Sequence, residues 1–178
     1  LEMHEGVWQI IPMPKDEAAK MITPDKNPER DLTLFLATSM AYPELLKPAK
    51  ASSEATACLS NVKNAVLASM MYAQDYDQTY KFDTSNWTTR LRPYLKSEKV
   101  FHCASDASGK TSYSVNRELC GVKLDQIEHP EQVVLIYEGV GGKLNFRHNG
   151  RAVVGFADGH VKLVTPEVAK ALVWRLKG

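Results

Sequence analysis

The chain has 178 residues, of which 44% are apolar, and its formal net charge at pH 7 is +1. This apolar content is enough for a buried core, and the length suits one domain with an N-terminal appendage. The balanced charge, without any run of Lys and Arg, argues against a nucleic-acid-binding protein. The sequence contains no Cys-x-x-Cys or His-x-x-x-His pair and no apolar run of about 18 residues, so the common metal-ligand pairs and the usual membrane-span pattern are missing.

Residues 1–50 are predicted to form an N-terminal appendage or linker with a short helix, and residues 51–178 a globular domain. Pro24 and Pro28 interrupt a polar stretch of the appendage. The apolar run at 32–42 is about 11 residues long, whereas a membrane span needs about 20. We therefore interpret 32–42 as a packing helix and expect no membrane span in the chain.

A long amphipathic helix is predicted over about 53–78, with Ser52 or Ser53 as its cap. Apolar side chains recur along it at spacings of three and four, at Leu59, Val62, Val66, Met70 and Ala73. This face is either an assembly surface or the cover of the protein's own sheet. We favour the second interpretation, because a sheet with one apolar face needs a cover.

Three further elements are predicted from local patterns. A second helix runs from Ser85 to about Leu95, and the apolar run Gln132–Tyr137 is typical of a central strand. The sequence Thr165-Pro166-Glu167 has the cap, the first-turn proline and the acidic residue of a helix start. A final amphipathic helix is therefore expected after it.

The stretch RHNGRAVVGFADGHVK, residues 147–162, is the most informative part of the chain. Asn149-Gly150 and Asp158-Gly159 flank a short apolar run, and such dipeptides are strong signals of type I′ turns, in which both central residues have positive φ. They predict a β-meander with strands at about 143–148, 151–157 and 160–164. The predicted fold is therefore α+β: an amphipathic helix packed on an antiparallel sheet, with a C-terminal meander and a closing helix.

His148 and Asp158 suggest a metal or catalytic pair. In the predicted meander they lie at opposite ends of a strand of about seven residues, which places them about 20 Å apart. They are then unable to share one ion. We expect no tightly bound transition metal and no hydrolase activity, with Asp158-Gly159 forming a turn.

The segment from Asp75 through Asp77 begins like a calcium-binding loop. It has Tyr80 where the turn glycine of an EF-hand belongs and Asn86 where the bidentate glutamate belongs. The full loop pattern is therefore broken. Asp75 and Asp77, with Asp83, are left as calcium candidates, and no other cofactor is expected.

The cysteines Cys58, Cys103 and Cys120 raise the alternative of a small Cys-dependent hydrolase. Cys103 would be its nucleophile, with His102 or His129 as the base. His102 is a poor base because adjacent residues of a strand point to opposite faces. Cys120 is interpreted as a small buried apolar residue.

Several of these segments together resemble bacterial prepilin-type, pseudopilin-like proteins. His148, nine residues and then Asp158-Gly159 resemble the closing H-x9-DG motif of that family. Residues 57–80 resemble the amphipathic half of a pilin-type first helix, and 87–106 a segment that ends in a Cys-x-Ser-Asp turn. Residues 111–119 and 129–139 resemble the strand-forming pieces that follow. The resemblance covers roughly residues 50–164.

The resemblance implies a non-enzymatic component of the cell envelope, periplasmic or extracellular. It implies a head domain linked to type II secretion or pilus-like assembly, with other pseudopilins or secretion-apparatus proteins as partners. It also implies a disulfide between Cys58 and Cys103. Two alternatives stay open: a soluble ligand- or calcium-binding module of pilin-like fold, and the Cys-dependent hydrolase. Because the 32–42 run is short, we expect the chain to stay in solution without detergent and not to polymerise alone.

Overall fold

The structure is a computed structural model, and it describes residues 2–4, 7–9, 47–108 and 111–175. The chain divides into two compact units, Leu1–Lys50 and Ala51–Gly178. In the first unit β1 (Glu2–His4) pairs antiparallel with β2 (Val7–Gln9). The 32–42 run and the predicted short helix before it lie outside the described residues.

No helix within the described ranges is both long and apolar enough to cross a membrane.

The larger unit has the predicted α+β fold, with a long helix packed on a five-stranded antiparallel sheet. The elements are α1 (Lys47–Asp75), α2 (Trp87–Leu91), β3 (Tyr113–Val115), β4 (Val134–Val140), β5 (Lys143–Leu144), β6 (Ala152–Phe156), β7 (Val161–Val164) and α3 (Pro166–Ala169). The strands run in the order β3-β4-β6-β7, and β5 pairs with the C-terminal end of β4.

The apolar stripe of α1 covers the sheet, which confirms the interpretation favoured from the sequence. Val62 and Val66 are fully buried. They lie so close to β6 that a Cβ atom on Gly155 would be 2.5 Å from Val66 Cγ2 and 2.9 Å from Val62 Cγ1. The helix begins at Lys47, several residues before the predicted start, so the two serines expected to cap it lie inside it instead.

The core has two layers, because successive side chains of a strand point to opposite faces of the sheet. Val153 of β6 belongs to the cluster that includes the buried residues of α1. Ala152 and Val154 belong to a second cluster, together with Val164 and the partly buried Trp174. The second layer is therefore built by β4, β6, β7 and the C-terminal segment.

Two of the three strands of the predicted meander are found in their expected places. Asp158-Gly159 lies in the turn that joins β6 to β7 in an antiparallel hairpin, as expected, but the turn is not type I′, because Gly159 has positive φ and Asp158 does not. The two glycines have positive φ, 74° for Gly150 and 98° for Gly159, which also confirms the prediction. The first strand was wrong: Lys143–Leu144 pairs with β4 and not with β6. The β4–β6 pairing is antiparallel and brings Val154 opposite Tyr137, so β4 occupies the side of β6 that was assigned to residues 143–148.

The predicted final helix is reduced to one turn. Thr165 caps it by accepting a hydrogen bond from the backbone N–H of Val168, as expected, but the helix ends at Ala169. The following residues leave the helix because tertiary contacts hold them. Val173 accepts a hydrogen bond of 3.0 Å from the backbone N–H of Val134, and the ring of Trp174 packs edge-on against Tyr137 at 4.9 Å.

The other two elements lie close to their predicted places. The second helix is split into α2 and a 3-10 turn, Arg92–Tyr94, because Pro93 has no N–H to continue the α-helical pattern. The central strand begins two residues later than expected and extends to Val140, taking in the charged residue Glu138.

Candidate functional site

Cys58, Cys103 and His148 form a buried cluster. The two sulfur atoms are 2.8 Å apart, and Cys103 Sγ is 3.5 Å from Nε2 of His148. The exposed fraction is 0% for Cys58, 3% for Cys103 and 1% for His148. The ligand atoms of these three residues lie within 4.8 Å of one another, which is close enough to hold a metal ion. Among the described residues, no other group of three or more His, Cys, Asp or Glu side chains meets this condition.

Each member of the cluster is placed by a different element. Cys58 stands one helical turn before Val62, so it extends the buried stripe of α1. Cys103 follows a 3-10 turn, and its backbone N–H donates a hydrogen bond of 2.8 Å to the hydroxyl of Ser112. His148 precedes β6 in a two-residue turn that is closed by hydrogen bonds of 3.0 and 3.1 Å with the backbone of Arg151.

A buried carboxylate lies beside the cluster. Glu138 of β4 is 0% exposed, and its Oε1 is 3.3 Å from His148 Nε2. The other oxygen, Oε2, accepts a hydrogen bond of 3.0 Å from the backbone N–H of Val153. Arg147 places Nη1 3.4 Å from the same Oε1 and pairs through Nη2 with Asp106 at 3.1 Å. The negative charge of Glu138 is therefore compensated where water has little access, as a buried charge requires.

The two thiols behave as one titrating pair. The hydrogen bond with Cys103 lowers the pKa of Cys58 to about 7, against the opposing effect of burial. The same hydrogen bond, with burial, raises the pKa of Cys103. The pair therefore accepts one negative charge readily, and the second proton is held between the sulfurs unless a cation replaces it.

The two polar residues of the H-x9-DG motif have different partners, as predicted. Asp158 accepts hydrogen bonds from the backbone N–H and from Nδ1 of His160, at 3.0 and 2.6 Å. Lys63 of α1 donates a hydrogen bond of 2.6 Å to the backbone carbonyl of Gly159. Asp158 and Gly159 thus fix the turn and tie it to α1, whereas His148 faces the cysteines.

Cys58 and Cys103 meet, as the resemblance implies, but no disulfide joins them in this structure, where both are free thiols. The third thiol, Cys120, is separate. It is half-buried rather than fully buried as expected, and it lies 3.7 Å from the carbonyl oxygen of Asn116.

The imidazole that contacts Cys103 is that of His148. Neither base considered for a hydrolase takes this place: His102 and His129 are both exposed. Cys103 is itself 3% exposed, so a bulky substrate has no direct path to its sulfur.

The calcium candidates are engaged with protein groups. Asp75 accepts a hydrogen bond of 2.6 Å from the hydroxyl of Tyr94, and Asp77 pairs with Lys123 at 3.3 Å. Asp83 binds the hydroxyl and N–H of a neighbouring serine, at 2.5 and 2.7 Å. Across residues 50–108 and 111–175, none of the three carboxylates joins a metal-binding group of His, Cys, Asp and Glu.

The sequence interpretation missed the meeting of His148 with the cysteines and the role of Glu138. One signal for Glu138 was available: a lone carboxylate inside the apolar run VLIYEGV predicts a buried charge with a partner. No comparable signal joins His148 to Cys58, which lies 90 positions away in the sequence.

Neither the models of known protein families, nor the curated proteins, nor the solved structures include a match to this chain. The pseudopilin resemblance therefore rests on the sequence motifs quoted above.

Proposed function

We propose that this chain is the head domain of a non-enzymatic, pseudopilin-like component of the bacterial cell envelope, acting in type II secretion or a related pilus-like assembly. Its partners would be other pseudopilins or proteins of the secretion apparatus. The observation that carries the proposal is that α1 precedes the five-stranded sheet in the sequence and packs on it, with its buried stripe against β6 at Gly155. This arrangement of one long helix on an antiparallel sheet agrees with what the motif order implies.

Features of the H-x9-DG segment support a structural role for it. Asp158 closes a hairpin turn, and Lys63 holds that turn to α1 through the carbonyl of Gly159. These contacts stabilise the junction of helix and sheet. Because Asp158 and Lys63 are engaged in these contacts, neither is placed as a catalytic acid or base.

The hydrolase alternative is less favoured by the geometry. A nucleophilic thiol has to reach its substrate and to ionise easily. Cys103 is buried at 3% exposure, and its hydrogen bond with Cys58 raises its pKa. The calcium-binding alternative is also less favoured, since Asp75 and Asp77 already bind Tyr94 and Lys123.

A deletion experiment in the source bacterium tests the proposal. The gene is removed, and the proteins of the culture supernatant and of the cell surface are compared by quantitative mass spectrometry. We expect a set of proteins to fall in the supernatant or on the surface while their total cellular amounts stay unchanged. Complementation with the full gene should restore them.

A matched variant separates assembly from catalysis. Cys103→Ser removes the nucleophile that a hydrolase would need, and Cys120→Ser removes the thiol outside the cluster; at matched cellular amounts both should complement fully. Unchanged supernatant and surface proteins after deletion would contradict the envelope role. Proteins that fall in the supernatant on deletion and stay low with Cys103→Ser, but recover with Cys120→Ser, would favour the hydrolase.

A further inference from the structure

We propose that Cys58, Cys103, His148 and Glu138 form a binding site for a thiophilic divalent cation, with Zn²⁺ as the best fit. The site is independent of the proposed envelope role. It differs from the pair first considered on the sequence, because it takes His148 without Asp158. The expectation from the sequence that no transition metal binds was argued from that pair alone, and this proposal replaces it.

The donor atoms have the chemistry that zinc prefers. Structural zinc sites combine cysteine sulfur with imidazole nitrogen, and carboxylate oxygen is also a ligand. Here two sulfurs and one imidazole nitrogen, from α1, a loop and a turn, lie within 4.8 Å of one another. A carboxylate oxygen of Glu138 in β4 lies 3.3 Å from that nitrogen and would be the fourth ligand. Hard cations such as Ca²⁺ and Mg²⁺ prefer oxygen ligands, so the two sulfurs disfavour them.

Two of the distances match the edges of a zinc tetrahedron. With bonds of about 2.3 Å to sulfur and about 2.0 Å to nitrogen and oxygen, a sulfur and a nitrogen lie about 3.5 Å apart and a nitrogen and an oxygen about 3.3 Å apart. The separation of Cys103 Sγ from His148 Nε2 is 3.5 Å, and that of Nε2 from Glu138 Oε1 is 3.3 Å. The histidine is thus already placed between its two neighbours as a metal ligand would be.

The distance between the two sulfur atoms has to increase. Two sulfurs on one zinc ion lie about 3.8 Å apart, whereas those of Cys58 and Cys103 are 2.8 Å apart. The required movement is about 1 Å, which small rotations about the Cα–Cβ bonds of the two cysteines can supply. The ion would enter between the sulfurs and displace the protons that they share.

The charges near the site attract a cation. Two thiolates and the Glu138 carboxylate carry three negative charges, and Zn²⁺ neutralises two of them. Arg147, which also pairs with Asp106, is 3.4 Å from Glu138 Oε1. Without the ion, the Nε2–H group of His148 can donate a hydrogen bond to Glu138 Oε1. An ion bound at Nε2 would require the other tautomer of the ring, with its proton on Nδ1.

The test measures zinc in protein purified with a reducing agent and without chelators. We expect about one zinc ion per chain in the wild type, and at least tenfold less in Cys58→Ser, Cys103→Ser and His148→Gln. Two matched controls should keep their zinc: Cys120→Ser removes the other thiol, and Asp158→Asn removes the other polar residue of the H-x9-DG motif.

A second measurement uses the wild type alone and so does not depend on how the variants fold. The reduced, zinc-stripped chain is titrated with Co²⁺, and a thiolate-to-cobalt charge-transfer band that saturates at one equivalent and disappears on adding zinc supports the site. No such band, with both thiols titratable, would overturn it. Zinc retained in the Cys58 and His148 variants would also overturn it, and so would a Cys58–Cys103 disulfide that forms quantitatively in the presence of zinc.

Discussion

The contact between α1 and β6 at Gly155 predicts an unusual response to a small substitution. Alanine is normally better than glycine in a strand by roughly 0.5–1 kcal/mol, because glycine loses more conformational freedom on folding. Here the added Cβ would lie 2.5 Å from Val66 Cγ2 and 2.9 Å from Val62 Cγ1, well inside normal contact distance. We therefore expect Gly155→Ala to destabilise the protein by roughly 1–3 kcal/mol, the usual cost of overpacking a core.

The melting temperature should fall by roughly 2–4 °C for each kcal/mol in a chain of this size. Thermal and urea unfolding, both followed by circular dichroism, measure the change. The nearer of the two obstructions can be removed by Val66→Ala, which alone should cost about 2 kcal/mol through lost burial and a small cavity. In the double variant the cost of Gly155→Ala should become smaller, with the contact to Val62 Cγ1 remaining, so that the two changes couple by at least about 1 kcal/mol.

Val164→Ala is the matched control, since Val164 lies in the core cluster on the other face of the sheet. Its effect should add to that of Gly155→Ala without coupling, as for sites without shared contacts. If Gly155→Ala left the melting temperature within a degree of the wild type, or if Val66→Ala gave no rescue, the close packing of α1 on β6 would be refuted.

Three further predictions concern the turns and the charges. Gly150→Val should cost roughly 1–3 kcal/mol in urea unfolding; a Cβ there meets no atom within 4 Å, so the cost comes from φ at 74° alone, and an unchanged midpoint would contradict the type I′ turn. Arg147→Met should cost roughly 3 kcal/mol because it leaves the buried Glu138 without its cation; the exposed ion-pair variant Arg92→Met is the control and should cost under about 1 kcal/mol. Asp83→Asn should lower stability at pH 7, because the Ser85 hydroxyl and nearby N–H groups hold the pKa of Asp83 below the usual range of an aspartate. The stabilisation from a lowered folded-state pKa is present above the unfolded pKa and is lost as pH falls through the folded one, so the melting temperatures of variant and wild type should converge as the pH is lowered through that range; a difference that stays constant with pH would contradict the assignment.

The parts of the fold that were predicted correctly from the sequence are those with local causes. The stripe of α1 follows from spacings of three and four, and the Asn149-Gly150 turn follows from the positive φ that both central residues of a type I′ turn require. Thr165 begins a helix because its hydroxyl accepts a hydrogen bond from an N–H three residues later. Each of these features depends on residues within a few positions of one another.

The parts that were missed depend on distant contacts. The C-terminal helix ends at Ala169, although its sequence has helical periodicity, because Val173 and Trp174 gain contacts with β4 instead. Lys143–Leu144 looks like a partner for β6, but a two-glycine turn folds it back on β4. Local propensity is a weak preference, and tertiary contacts override it.

The same distinction applies to the candidate site. The pairing of Cys58 with Cys103 came from the family resemblance, and the structure brings the two sulfurs together. His148 was placed at the correct turn by Asn149-Gly150, and it was correctly separated from Asp158, but its contacts with Cys103 and Glu138 were not predicted. Periodicity places a residue on a face, whereas the identity of the element packed against that face is decided by the topology.

Among the described residues, the hydrogen bonding of His148 differs from that of the other buried polar side chains. Five of the six make a hydrogen bond to a backbone group, which explains their burial: they are Ser69, Thr79, Ser112, Asn116 and Glu138. The ring of His148 is different, because Nε2 faces the sulfur of Cys103 and the carboxylate of Glu138, and Nδ1 has no hydrogen-bond partner among the described residues. Burying an imidazole beside thiols and a carboxylate is costly unless those groups interact strongly. A shared cation supplies that interaction, and it accounts for the placement of all four residues, whereas a disulfide accounts for the two cysteines alone.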